Sequence, residues 1–370
     1  MAGRFVYFSR AELNENLSGD SRRLVQVFRV LEKQFPALEL VTVKETGPRP
    51  FPVRSTPGIL KELLFDGSYR FWAAEYRRHI LSLMLRSWIW ADAVKRSPRI
   101  ELAFVEDPVY FPALVETLKK RGTKVIAVCH NIESLSAGQT APGRQRALLN
   151  REIDVLSGCS LAITISREED FFLNNLGINT FFFPYYPVES TERKMLGIRA
   201  EREKREKSGL LLMGSFNNIP TKAGMLKVIS FWKERGYALT GERLIVAGFG
   251  TDSLKAGKDA GVEVLGTVDE GALAALCSGI KACLCYQEKA SGALTKIPEM
   301  LMAGVPVIAN TKAARSYYNT EGLFEITTLE EIGTALKKAG GFNPPVPKRP
   351  AGEALVSSIR KVQGDERQSR

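Results

Sequence analysis

Cysteine and histidine are both scarce in this chain of 370 residues, which contains 5 of the former and 2 of the latter. The cysteines have neither the spacing of a zinc site nor the density of a disulfide framework, so we interpret them as small buried apolar residues. No stretch reaches the roughly 18 consecutive apolar residues of a membrane-spanning helix, and the amino terminus lacks the apolar run of a signal peptide. These absences predict a cytoplasmic protein.

Several motifs that would point to other functions are also missing. The sequence has no zinc-finger pattern, no RNP-type aromatic strand motif and no plain helix-turn-helix. It contains no Asp-x-Asp tripeptide, and no G-x-G-x-x-G follows the first predicted strand. We therefore expect no nucleic-acid partner, no bound metal, no nicotinamide and no other cofactor.

Basic residues are in excess. Lys and Arg total 52 against 41 for Asp and Glu, which gives a formal net charge of +11. Such a balance favours an anionic partner, whether a nucleotide, a nucleic acid or a lipid surface. Because the missing motifs disfavour nucleic acid, a nucleotide or a membrane surface is the favoured partner.

The hydrophobic pattern predicts short buried strands that alternate with amphipathic helices. FVYFSR at 5–10 and LELVTVK at 38–44 begin the series, and IELAFVED, KVIAVCHN, LAITIS and TFFFPYY continue it. A second series comprises LLLMGSF, LIVAGFG, VEVLGTV, IKACLCYQ and PVIAN. Alternation of this kind indicates an α/β fold whose parallel sheets are covered on both faces.

The length and the two series together predict two domains. The tract ESTERKMLGIRAEREKREKSG is dense in Lys, Arg and Glu, which is typical of an exposed connection or a solvated helix. We expect an N-terminal domain at 1–188, a charged linker at 189–208, a C-terminal domain at 209–345, and a helix with a tail at 346–370.

The segment YQEKASGALTKIPEMLMAGVPVIAN at 286–310 carries the most chemistry. A strand leads into a small-residue loop with Ser291 and Gly292, and a helix starts near Thr295. The loop N–H groups and the positive end of the helix dipole suit a diphosphate, and Lys296 adds a full charge. Glu299 is placed to accept hydrogen bonds from a ribose. An ordinary strand-to-helix turn with a surface Lys and Glu is the alternative.

This segment resembles the donor site of retaining GT-B glycosyltransferases, notably glycosyltransferase family four. The family pattern G-x-x-x-K-x-x-E-x-x-x-x-G-x-P-V is matched by Gly292, Lys296, Glu299, Gly304, Pro306 and Val307. The resemblance implies two Rossmann-like doubly wound domains that face each other across a cleft. It also implies a nucleotide sugar on the C-terminal domain, an acceptor on the N-terminal domain, and retention of anomeric configuration.

Other donor-site residues follow from the same resemblance. Gly214 and Lys222 match a first strand and loop that approach the donor phosphates, and Gly248 belongs to a G-x-G segment that lines the nucleoside pocket. The first of the family's two glutamates falls on Ser291, so Glu288 is expected to replace it at the donor sugar. For Lys222, a solvated lysine at a helix start is an equally open interpretation.

In the N-terminal half, His130 and Asn131 directly follow a buried strand, at the edge of the sheet where α/β proteins bind ligands. The resemblance places them in the cleft, with Gly19 in a glycine loop that approaches the acceptor. The predicted catalytic residues are His130, Lys222 and Glu288. A satisfied structural histidine and a turn glycine are the alternatives for His130 and Gly19, and Glu152 and Ser166 are interpreted as structural markers.

The stretch YRFWAAEYRRHILSLMLRSWIWADAVKRSPR at 69–99 mixes tryptophans with arginines and lysines. This mixture suits a helix lying against anionic lipid headgroups, or a helix packed on the sheet with its charged face in water. We favour peripheral membrane contact. Three functions remain open: a sugar transferase acting on a lipid-linked or glycan acceptor, a GT-B nucleotide-sugar epimerase, and a non-catalytic sugar-nucleotide- or lipid-binding module.

Overall fold

A computed structural model of the chain describes residues 4–14, 19–42, 79–137, 142–254, 261–289 and 291–364. The described residues up to Tyr185, together with those from Pro350 onward, form one compact unit. Residues Tyr186–Arg349 form the other. We call them the first and the second domain.

The first domain is built on a six-stranded sheet in the order β2-β1-β3-β4-β5-β6. All neighbouring strands are parallel. The strands are β1 (Phe5–Ser9), β2 (Leu38–Thr42), β3 (Leu102–Glu106), β4 (Lys124–Val128), β5 (Leu161–Thr164) and β6 (Thr180–Phe182). The helices between them are α1 (Gly19–Gln34), α2 (His79–Arg96), α3 (Pro112–Lys120), α4 (Glu133–Ala137), α5 (Pro142–Ser157) and α6 (Arg167–Asn175).

Both faces of this sheet are covered, which explains the nearly continuous apolar strands. Successive side chains of β1 enter opposite cores: Val6 and Phe8 pack in one, and Tyr7 packs in the other. Trp90 of α2 is 1% exposed, and its ring lies 4.8 Å, centroid to centroid, from the tilted ring of Phe111. The indole of Trp90 belongs to the core, which fits a helix packed on the sheet, one of the two interpretations of this stretch. Residues 69–78 of the same stretch lie outside the described residues.

The second domain repeats the design with a six-stranded sheet in the order β12-β11-β10-β7-β8-β9. Its strands are β7 (Leu210–Met213), β8 (Leu244–Ala247), β9 (Val262–Gly266), β10 (Ala282–Cys285), β11 (Val307–Asn310) and β12 (Leu323–Ile326). Its helices are α7 (Glu189–Glu203), α8 (Ile219–Phe231), α9 (Tyr237–Thr240), α10 (Glu270–Gly279), α11 (Lys296–Met302), α12 (Thr311–Ala314) and α13 (Ile332–Ala339). All these strands pair in parallel.

Local sequence signals fix several helix starts. The Asn218 side chain accepts a hydrogen bond from Thr221 N at the start of α8, and Asp269 does the same for Ala272 N at the start of α10. Ser166, one of the two predicted marker residues, caps α6 by accepting from Glu169 N. Short side-chain acceptors of this kind satisfy orphan N–H groups in the first turn.

The segment expected to be a charged linker contains α7, which packs within the second domain. Met195 and Ile198 are buried in its core, and Arg202 is 5% exposed. The arginines and glutamates of this tract therefore have two environments, because one face of α7 contacts the domain and the other faces water.

The last helix of the chain, α14 (Gly352–Gly364), belongs to the first domain. Leu355 and Ile359 are fully buried in the same core as Tyr7 and Phe28. The predicted terminal helix is thus part of a hydrophobic core. Among the described residues, no helix is both long enough and apolar enough to cross a bilayer.

Candidate functional sites

Each sheet contains one place where the strand order reverses. The chain builds β1 and β2 outward in one direction and then continues with β3 on the other side of β1. In the second domain the reversal lies between β7 and β10. Loops that follow the two strands at such a point turn to opposite faces of the sheet. They leave a crevice at the carboxyl ends of the strands, where open α/β sheets bind ligands.

Two glycines bring the backbone close together at the crevice of the second domain. Gly214 directly follows β7, and a Cβ there would lie 2.4 Å from Thr221 Cγ2 and 3.2 Å from Lys296 Nζ. Gly248 follows β8 with φ +132°, and a Cβ there would lie 2.2 Å from Gly214 O. Neither position has room for a side chain, so only glycine fits where the two turns meet at this edge of the sheet.

Lys296 brings a positive charge to the same place. Its Nζ donates a hydrogen bond of 2.5 Å to Met213 O, the last carbonyl of β7. The structure therefore brings together Gly214, Gly248 and Lys296, three of the predicted donor-site residues. Because α11 begins at Lys296 and is only two turns long, its dipole is small, and the ammonium is the main source of positive potential.

The loop before α11 is held by residues that the sequence analysis missed. Arg315 Nε donates to Gly292 O at 2.6 Å, and a second nitrogen of the same guanidinium donates to Ser291 O. Tyr317 OH donates to Leu294 O at 3.0 Å. Both residues follow β11, whose carboxyl end lies at the same edge of the sheet as that of β10. Because of this shared edge, the sequence after β11 could have been searched for residues that contact the loop.

Three other predicted donor-site residues have different contacts. Lys222 is exposed, and its Nζ lies 4.8 Å from the centroid of the Phe216 ring. Glu288 forms an ion pair of 2.8 Å with Lys227, whose hydrogen bond lowers the pKa of the carboxyl. Glu299 lies in the first turn of α11 and is 1% exposed. The roles assigned to these three residues stay predictions.

Gln287 is a further polar group at this edge. It follows β10, and its backbone N and O are both bound by the side chain of Asn310, at 3.0 and 2.8 Å. Its side-chain oxygen is buried and has no hydrogen-bond partner among the described residues. A buried acceptor without a partner is rare in folded proteins, and it would suit a ligand hydroxyl.

The crevice of the first domain holds a buried network of charges. Glu106 ends β3, and one of its oxygens accepts hydrogen bonds of 2.6 Å from Ser9 Oγ and 2.9 Å from Arg10 N. Its other oxygen lies 2.7 Å from His130 Nε2. Asp107 accepts from His130 N at 3.1 Å and lies 3.1 Å from Arg10 Nε. Two cations thus face two carboxylates at the ends of β1, β3 and β4.

The pairing shifts two pKa values in opposite directions. Burial alone would lower the pKa of His130, but the charge of Asp107 and the hydrogen bond to Glu106 raise it to about 9. Burial would raise the pKa of Glu106, but His130 and Arg10 lower it to about 2. At neutral pH His130 is therefore an imidazolium. Its Nδ1 is buried and has no hydrogen-bond partner among the described residues.

A second carboxyl lies beside the network. Glu133 accepts a hydrogen bond of 2.6 Å from Tyr110 OH and another from the side chain of Asn131. Burial and the charge of Asp107 raise the pKa of Glu133 to about 8, so it holds a proton at neutral pH. The marker residue Glu152 accepts from the backbone N atoms of Glu133 and Ser134 at 2.8 and 2.9 Å, which caps α4 and confirms its structural character.

Glu106, Asp107 and His130 also have the ligand types of a metal centre, with atoms within 4.8 Å of one another. In the structure their charges are matched by Arg10, whose Nε lies 3.6 Å from Glu106. A metal ion could bind only if Arg10 and His130 gave up these contacts. The arrangement therefore fits an ion-pair network better than a metal site.

His130 and Asn131 were predicted from the sequence, whereas Arg10, Glu106 and Asp107 were not. The signal was present, because FVYFSR and IELAFVED end in charged residues on strands that become neighbours. Asp107 also has φ 41°, in the left-handed region that non-glycine residues seldom adopt and that is often found at functional sites. Gly19 is the first residue of α1, and residues 15–18 of its predicted loop lie outside the described residues.

The ion pair predicts a measurable titration. Because the pKa of His130 is raised, its contribution to stability is present below pH 6.5 and is lost as pH rises through about 9. Glu106→Gln removes one charge and should lower the pKa of His130 by at least about one unit. With only 2 histidines in the chain, imidazole NMR can follow both, and His79→Gln assigns them.

Glu39→Gln is the matched control, since Glu39 lies on the same sheet but pairs with Arg4 near the surface. It should leave the His130 titration unchanged. An unshifted His130 pKa in Glu106→Gln would show that this carboxylate does not hold the imidazolium.

No family model and no curated protein matches the sequence. Solved structures do match. Sucrose-phosphate synthase from Thermosynechococcus elongatus has a TM-score of 0.58 at 14% identity, over 98% of this chain and 90% of that one. The Anabaena protein HepE in complex with UDP and glucose has a TM-score of 0.56 at 11% identity, over 100% and 99%.

UDP-GlcNAc 2-epimerase from Methanocaldococcus jannaschii has a TM-score of 0.51 at 13% identity, over 98% of this chain and 100% of that one. At such identities the likeness establishes the fold. The prediction of an α/β protein with two Rossmann-like doubly wound domains is confirmed, and the chain shares its architecture with GT-B glycosyltransferases.

Proposed function

We propose that this protein is a glycosyltransferase, of the hexosyltransferase type, which binds a nucleotide-sugar donor at the crevice of its second domain. One observation carries the proposal: the ammonium of Lys296 lies beside the bare backbone of Gly214, at the carboxyl end of β7. Transfer of a sugar leaves a nucleoside diphosphate that gains negative charge as the glycosidic bond breaks. A fixed cation at that place stabilises the charge.

The donor is proposed to be a UDP-sugar in preference to a GDP-sugar. HepE, which shares the fold, is described in complex with UDP and glucose, and the similar epimerase acts on UDP-GlcNAc. Gly248, Ser291, Gly292 and Glu299 would complete the nucleotide site, with Glu299 at the ribose. Lys222 would assist at the phosphates, and Glu288 would contact the donor sugar after release from Lys227.

The first domain is proposed to bind the acceptor, a lipid-linked intermediate or a glycan. The Nδ1–H of the buried His130 imidazolium would donate to a substrate oxygen. Asn131, the next residue in the chain, and Gly19, at the start of α1, would contribute to the same acceptor site. Asp107 and Glu106 would keep that imidazolium charged and oriented. The acceptor hydroxyl would attack the anomeric carbon on the face from which the diphosphate leaves, so configuration is retained and Lys296 compensates the leaving charge in place of a metal.

Such a reaction suits the synthesis of a cell-surface polysaccharide or glycolipid by a cytoplasmic enzyme that visits the membrane surface. The alternative of a nucleotide-sugar epimerase is favoured by the likeness to UDP-GlcNAc 2-epimerase. A non-catalytic module is the third possibility, because Ser291 stands where a donor-sugar glutamate is expected.

A donor-consumption assay separates these functions. We expect slow release of UDP and free sugar from UDP-glucose or UDP-GlcNAc, followed by NMR, because a transferase without its acceptor hydrolyses its donor. Formation of the 2-epimer without UDP release would identify an epimerase. Tight UDP binding with an intact donor after long incubation would identify a binding module.

Lys296→Ala should weaken UDP binding by about 1.5–3 kcal/mol, the usual contribution of a charge-assisted hydrogen bond. Calorimetry with UDP measures this, and Lys233→Ala removes the same charge from an exposed helical position as a control. Thermal unfolding of both variants checks that the fold is retained. Equal UDP affinity in Lys296→Ala and the wild type would remove Lys296 from the phosphate site and, with it, the main support for the proposed function.

The proposed membrane contact predicts co-sedimentation with anionic vesicles and none with neutral ones. Each Lys or Arg near an anionic surface adds about 1 kcal/mol, so the double variant Arg77→Glu, Arg78→Glu should bind clearly less. The control is the double variant Arg360→Glu, Lys361→Glu on α14, which makes the same change in net charge at a different place. It should bind anionic vesicles as the wild type does. Equal loss of vesicle binding in both double variants would show that net charge alone explains the binding. Equal binding to both vesicle types would contradict an electrostatic contact.

A further inference from the structure

The second domain contains a cavity of about 570 Å³ at the sheet edge opposite its crevice. Its lining includes Glu242, Lys281 and Gly304, which precede β8, β10 and β11 respectively. In a parallel sheet the residues before the strands all lie at the amino-terminal edge, whereas Gly214 and Lys296 lie at the carboxyl edge. The volume falls within the range of small-molecule pockets, which is about 300–1,000 Å³.

Basic groups outnumber acidic ones around this cavity. Lys281 pairs with one oxygen of Glu242, whose other oxygen accepts from Gly209 N at 2.7 Å. Both oxygens of the Glu242 carboxylate therefore already have a partner. The remaining charged groups of the lining are four cations and one anion. The cations are Arg199, Arg202, Lys207 and Lys337, and the anion is the exposed Glu203.

The two arginines are fixed in place by neutral acceptors. Arg202 donates to Gly304 O at 2.8 Å and to Cys277 O at 3.1 Å. Arg199 donates to Leu301 O at 2.6 Å and to Met302 O at 2.8 Å. Carbonyls at helix ends carry only partial negative charge. Burial, together with the charge of Arg199, lowers the pKa of Arg202 to about 10, as expected for a buried cation without a carboxylate partner.

None of the four remaining cations has a carboxylate within ion-pair distance in the part of the chain that the structure describes. Lys207 and Lys337 stand on separate segments, one before β7 and one in α13, so their flexible side chains can converge on a ligand from two sides. A small polyanion in the cavity would supply the missing negative charge. A concave space of this volume suits a compact ligand better than a folded acidic protein surface.

We propose that this cavity binds a small polyanion of the phosphorylated-metabolite class, at a site separate from the donor crevice. The site does not depend on the proposed transferase activity, since none of its residues takes part in donor or acceptor binding. Arg199 and Arg202 supply fixed charges, and Lys207 and Lys337 supply mobile ones.

Calorimetry with inorganic pyrophosphate tests the site, and Lys296→Ala serves as the background so that the donor crevice contributes little. Pyrophosphate should bind this variant, and addition of Lys207→Ala with Lys337→Ala should weaken that binding at least tenfold. Lys233→Ala with Lys338→Ala removes the same charge from exposed positions outside the cavity and should change it less than twofold. Thermal unfolding confirms that each variant is folded.

No pyrophosphate binding in the Lys296→Ala background, or equal weakening in the cavity and control variants, would overturn the proposal. Binding of an acidic peptide such as polyglutamate at the same lysines, without pyrophosphate binding, would overturn it in favour of a protein partner. The Lys207→Ala, Lys337→Ala double variant in the wild-type background should bind UDP normally. Loss of UDP affinity in Lys296→Ala alone therefore reports on the donor site, whatever happens at the cavity.

Discussion

The reversal of strand order within each parallel sheet is the constraint on which both candidate sites depend. A sheet that grows from its middle in two directions must send the loops of two neighbouring strands to opposite faces, and the gap between those loops is a concavity that the fold supplies without an insertion. In the first domain the gap receives Arg10, Glu106 and His130, and in the second it receives Gly214 and Lys296. The chemistry differs because the residues at the strand ends differ, while the scaffold is the same.

Charge is buried in two different ways in the two domains. The network around His130 is neutralised by direct pairing, so removal of either partner leaves an unpaired charge in an apolar setting, which is among the costlier changes a fold can suffer. In the second domain, Lys296, Arg199 and Arg202 instead donate to backbone carbonyls. Carbonyl dipoles orient a cation without cancelling it. Paired charges thus suit an orienting role at the first crevice, and unpaired charges suit recognition of anions in the second domain.

Strands were predictable from the sequence because an apolar run is a local property, and the runs located the strands of both sheets. Gly214 and Gly248 were named by the resemblance to the glycosyltransferase pattern and not by local properties alone. Side-chain partners were not predictable, since Lys227 pairs with Glu288 and Arg315 binds Ser291 only after distant segments meet. The tract at 189–208 was taken for a linker because charged letters dominate it, whereas Arg199 and Arg202 in fact bind carbonyls. Composition reports the charge of a residue and not what it contacts.

Helix α14 makes the first domain discontinuous along the chain, and this affects the order of events during synthesis. The core around Tyr7 and Phe28 needs Leu355 and Ile359, which leave the ribosome after every other core residue. The second domain is one uninterrupted segment, Tyr186–Arg349, so it can finish folding while the domain translated before it still lacks its final helix. A chain truncated before residue 350 would therefore keep every segment of the second domain, whereas its first domain would have part of its apolar core open to chaperones.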